Sequence, residues 1–177
     1  MDQGFREYPN TTALSKLMTL FRGIYTHNTP TLYDPIIHIP LLIWGPGQNE
    51  RMDVSTLTNN VDLLPTLLRI SNLSIPDWCE GQILPTFREQ PADPERCIFA
   101  IEARENPMNS PLEKATIALL KGQYKLIHYI GYSPEVYELY NLEDDPDELV
   151  DLYSPDHPIA KELQKQMADK LFENDRP

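Results

Sequence analysis

Between Ile36 and Trp44 the chain reads Ile-Ile-His-Ile-Pro-Leu-Leu-Ile-Trp, a run that is large and apolar at nearly every position. A strand with one wet face alternates apolar and polar residues, so a run apolar on both faces predicts a strand buried inside a parallel sheet with helices on either side. Pro40 has no N–H to give a ladder and is expected at the start or edge of that strand. Gly45-Pro46-Gly47 predicts the turn that ends it. A segment of this kind requires neighbouring strands, and that requirement limits the folds open to the chain.

The flanking sequence reads in the same terms. Leu14, Leu17, Met18, Phe21 and Ile24 recur at helical spacing, predicting a short amphipathic helix over Ala13–Ile24 that Gly23 can close. Met52–Leu57 alternates weakly, as a short strand would. Asn59 or Asn60 can cap a following helix whose first turn admits Pro65 and whose end Asn72 can mark. Its expected core face is Val61, Leu64, Leu67, Leu68 and Ser71. Ile75–Pro94 has no periodicity and reads as an ordered connector.

Beyond it the pattern changes. Cys97–Glu102, Ala115–Leu120, Tyr124–Ile130 and Val136–Leu142 are strand-like runs, with Lys121-Gly122-Gln123 as a hairpin connection. Ile159, Leu163, Met167 and Leu171 recur every fourth residue behind Pro158, which predicts a C-terminal amphipathic helix packed on the sheet. The fold class is therefore α/β. Residues 1–94 form part of a core of buried strand plus helices, and residues 95–177 form a small antiparallel sheet with a C-terminal helix.

At 177 residues the chain fits one domain, or one small domain and part of another. Its formal charge of −12 excludes a nucleic-acid partner, which would need a surplus of Lys and Arg to neutralise phosphates. No run of about eighteen apolar residues is present, so no membrane span is expected. The N-terminus lacks the basic start and apolar block of a secretory signal, and the expected location is cytoplasmic. Cys79 and Cys97 have neither zinc spacing nor the numbers for a disulfide framework, and are expected as reduced, partly buried thiols.

Five blocks carry a family resemblance. They are His27-Asn-Thr-Pro-Thr-Leu-Tyr-Asp-Pro-Ile-Ile-His-Ile-Pro-Leu-Leu-Ile43, Val61-Asp-Leu-Leu-Pro-Thr-Leu-Leu68, Gly81-Gln-Ile-Leu-Pro85, Lys121-Gly-Gln-Tyr-Lys-Leu-Ile127 and Glu138-Leu-Tyr-Asn-Leu-Glu-Asp-Asp-Pro-Asp-Glu148. In this order they resemble the second half of a sulfatase, a member of the alkaline phosphatase-like superfamily. The resemblance implies a sulfuric ester hydrolase lineage, with the end of the main α/β domain followed by the smaller C-terminal one. It also implies that the catalytic half of the family sequence would precede Met1. The blocks themselves suggest scaffolding: Asp144-Asp145-Pro146 can turn the chain, and Glu138 can pair with Lys125 across a hairpin.

Sulfate-ester hydrolysis needs a strong nucleophile, a divalent cation and basic groups around the sulfate oxygens. By resemblance, the nucleophile is a formylglycine made within C-x-P-x-R or S-x-P-x-R. Cys79 precedes Glu-Gly-Gln-Ile and Cys97 precedes Ile-Phe-Ala-Ile, so neither fits, and no serine does. The complete family fold holds calcium on several acidic ligands. Asp2-Gln3-Gly4 resembles one such pair, but a lone pair is not a calcium site. No catalytic or metal residue and no cofactor is therefore assigned to this chain. His27, a few residues before the Leu-Tyr-Asp block, is the candidate substrate-binding residue, because related sulfatases place a Lys or His there against the sulfate. His38, His128 and His157 are expected as structural residues.

The reading is a sulfatase-family chain that is inactive alone. Its alternatives are a non-catalytic module derived from a sulfatase, or part of a related phosphodiesterase or phosphonate hydrolase. The bare strand Ile36–Trp44 predicts pairing with a second copy or with the missing N-terminal half.

Overall fold

The computed structural model describes residues 31–45, 50–88, 93, 95–103, 113–131 and 134–174. The predicted helix at Ala13–Ile24, His27 and Asp2-Gln3-Gly4 lie outside them. The chain divides into two compact units. One comprises residues 1–39, 99–119 and 123–177, the other residues 40–98 and 120–122.

A four-stranded sheet runs in the order β1 (Cys97–Glu102), β2 (Ala115–Lys121), β3 (Tyr124–Ile130), β4 (Val136–Asn141). All four were legible from their β-branched and aromatic composition. β2 and β3 meet at Gly122-Gln123, where Gly122 takes φ 55°, the positive value a two-residue hairpin loop demands and a glycine adopts without strain. β3 and β4 are antiparallel, with Lys125 opposite Tyr140, Leu126 opposite Leu139 and His128 opposite Tyr137. The edge of β4 is partly covered: Leu152 N–H donates to the Leu139 carbonyl, and Leu139 N–H donates to the Asp151 carboxylate. Such cover blunts an edge that would otherwise invite pairing.

The C-terminal helix, α3 (Pro158–Asn174), packs on β3. Ala160, Leu163 and Met167 are fully buried, whereas Ile159 is only half-buried. The face is the predicted one turned by one residue, with Ala160 in the innermost place. On the same unit His128 stacks on Tyr137 with ring centroids 4.1 Å apart, and Tyr137 stacks on Tyr153 at 5.3 Å. Burial holds the His128 pKa below its ordinary value of 6.5, against the opposing pull of Glu135.

The segments between Asp34 and Ile70 depart from the expectations. The segment predicted as a buried strand, Ile36–Trp44, begins as a one-turn helix, α1 (Asp34–Ile37), and continues through Ile39–Trp44 with no strand. Leu42 is 94% exposed and Trp44 88%. The physical reason is that a strand exists only in a ladder, and no described strand lies beside this run. The weak strand signal at Met52–Leu57 fails likewise; Met52 and Val54 are exposed. The helix, α2 (Leu63–Ile70), does form, after a 3-10 turn at Asn60–Asp62, and Asn72 ends it at φ 54°. Its expected core face is inverted. Asp62, Pro65 and Thr66 are buried, while Val61, Leu64 and Leu67 are exposed.

Two predictions follow from this packing. A Cβ at Gly81 would clash with the Val61 carbonyl, whereas one at Gly45 would meet nothing within 4 Å. Gly81→Ala should therefore lower stability by about 1–3 kcal/mol and Gly45→Ala by no more than about 0.5 kcal/mol in urea unfolding. For His128, a folded pKa below the unfolded one means that the unfolded chain binds more protons below pH 6.5, so stability falls as pH drops through that value. His128→Phe should flatten that acid-side loss in thermal melts at pH 5 to 7.

Candidate functional site

The five family blocks meet in two buried polar clusters, one in each unit. Asp62 is the centre of the first. Its side chain has no exposed surface, and a buried carboxylate must be matched by donors. Arg96 supplies two of them through one terminal nitrogen, at 2.6 Å to Oδ1 and 2.7 Å to Oδ2. Asn59 N–H donates to Oδ2 at 2.8 Å and closes a capping box ahead of α2, and Gln82 N–H donates to Oδ1 at 2.8 Å. One turn on, the Thr66 hydroxyl donates to the Asp62 carbonyl and accepts from Leu84 N–H. The Val-Asp-Leu-Leu-Pro-Thr and Gly-Gln-Ile-Leu-Pro blocks are thus stitched together by Asp62 and Thr66. Gly81 lets the second strand of chain come against the Val61 backbone.

Lys125 is the centre of the second cluster. Its ammonium is fully buried on β3, 2.7 Å from Glu148 Oε1 and 3.4 Å from Asp34 Oδ1. The second Glu148 oxygen accepts the Asp34 N–H at 2.6 Å, so this one carboxylate ties the Leu-Tyr-Asp block to the sheet. Burial pushes the Glu148 carboxyl up from its ordinary value, and the Lys125 charge and the Asp34 N–H oppose that push. Glu148 sits at φ 54°, a backbone conformation that non-glycine residues avoid unless the surroundings enforce it. The turn that presents it is built by Asp145, which accepts from the N–H groups of Leu149 and Val150. Asp144 accepts from the Asn141 amide. The expected role of Asp144-Asp145-Pro146 as a side-chain-held turn is the one observed.

Glu138 bonds to two tyrosine hydroxyls in place of the expected Lys125, which stands opposite Tyr140 in the β3–β4 register. On β4 its Oε2 accepts from the hydroxyls of Tyr33 at 2.9 Å and Tyr129 at 3.1 Å. Tyr33 also meets Tyr140 edge-on, at 6.2 Å between ring centroids. Burial first, and the Glu138 charge second, raise the pKa of Tyr33, Tyr129 and Tyr140, which holds all three as neutral phenols. These groups are consumed in holding the fold. The sequence signal that could have found them was the acid-and-tyrosine content of the blocks; their partners are 105 and 114 residues apart, beyond any local pattern.

The remaining sequence candidates are placed as follows. His38 is exposed and lies 3.3 Å from Asp34 at the end of α1, outside any strand. His128 is in the aromatic stack. His157 immediately precedes α3, accepting from Lys161 N–H through its backbone carbonyl. Cys79 and Cys97 are half-buried and not joined in a disulfide, and the Cys97 thiol donates to the Glu95 carbonyl at 3.7 Å. Among the described residues no group of three or more His, Cys, Asp or Glu side chains converges to hold a metal ion.

Removing the ammonium should show how the second cluster works. Lys125→Met leaves two carboxylates facing each other without their cation and should lower stability by about 3–5 kcal/mol, whereas Lys125→Met with Glu148→Gln should recover a large part of that loss. Urea unfolding of the two single variants and the double variant measures the coupling.

Comparison with known proteins matches residues 25–176 to the family described as N-sulphoglucosamine sulphohydrolase, C-terminal. Among similar proteins, arylsulfatase K of Bos taurus is 26% identical over 148 residues, covering 77% of this chain and 26% of the relative. An ulvan-active sulfatase of Formosa agariphila is 40% identical over 65 residues, covering 36% of this chain and 12% of the relative. A solved 2-O GAG sulfatase shares 22% identity at a TM-score of 0.45, over 64% of this chain and 23% of that one. The chain spans about a quarter of the length of the arylsulfatase K it matches. With the family match running over most of its length, the chain belongs to the sulfatases, in the family of the N-sulphoglucosamine sulphohydrolase C-terminal region.

Proposed function

We propose that this chain serves a sulfuric ester hydrolase as its C-terminal portion, supplying scaffold and one substrate contact, and that it does not hydrolyse sulfate esters by itself. The observation that carries the reading is where the charged groups of the family blocks go: Asp62, Lys125, Glu138 and Glu148 are each buried against fixed partners inside the fold. A group that is to attack, protonate or bind a substrate has to be reachable by it.

The reaction class follows from the family, and the division of labour from the chemistry. Displacement at sulfur develops charge on the sulfate oxygens and the leaving oxygen, which a divalent cation and basic side chains stabilise. Neither cysteine of this chain lies in the motif that yields the family's nucleophile. Those groups are assigned to an N-terminal sulfatase portion. His27, within the matched residues, is assigned the role of a contact to the sulfate, where an imidazole can donate a hydrogen bond.

An aryl sulfate offered to the purified chain with calcium should show no turnover above buffer. Turnover by the chain alone would overturn the division of labour. Turnover of an aryl phosphate diester or phosphonate by the completed protein, with aryl sulfate untouched, would move the chain to another ester class.

A further inference from the structure

We draw no further inference here: the strongest candidate, the half-buried aromatic stack of His128 on β3, Tyr137 on β4 and Tyr153 in the segment leading to α3, spends its ring faces on one another and leaves only the acid-side response of His128 already derived from the fold.

Discussion

A charge taken out of water must be met by partners that stay in place, and both units of this chain are organised by that requirement. Asp62 is met by Arg96 and by the backbone N–H groups of Asn59 and Gln82. Lys125 is met by Glu148 and Asp34. Each arrangement draws on segments far apart in sequence, so forming one fixes where several segments meet. The apolar core of the sheet and α3 gives stability without saying which loop goes where. The buried charges say it, because any other placement of the Leu-Tyr-Asp segment or of Gln82 leaves a carboxylate or an ammonium unmatched.

This explains why the blocks that carry the family likeness are poor guides to activity. Thr66 reads like part of an ordinary helix, yet its hydroxyl links Asp62 to Leu84. Gly81 reads like a loop residue, yet its lack of a side chain lets the backbone pass against Val61. Glu138, at the head of its block, is a buried acceptor for Tyr33 and Tyr129. All of these packing devices lie within the residues matched to the sulfatase family.

Much of the second half was legible from sequence because its determinants are local. The strands β1 to β4 follow runs of β-branched and aromatic residues, the Gly122 hairpin follows from positive φ, and α3 from its fourfold spacing. The first half misled for a physical reason. Ile36–Trp44 and the leucines of α2 are patterned for burial, and pattern records what a segment is suited to contact, while exposure records what is there. His27 rests on the family likeness alone and lies outside the described residues. The partners of Lys125 and Glu138 were not legible, since a long-range ion pair leaves no periodic trace.

Native-state hydrogen exchange tests most directly the claim that the family blocks are buried structural clasps. The amides of Asp34, Gln82 and Leu84 donate to Glu148, Asp62 and Thr66 respectively. They should exchange only through large-scale opening, while those of Leu41–Trp44 in the isolated chain exchange within seconds to minutes. Fast exchange at Asp34, Gln82 and Leu84 in a chain whose sheet remains protected would contradict the account.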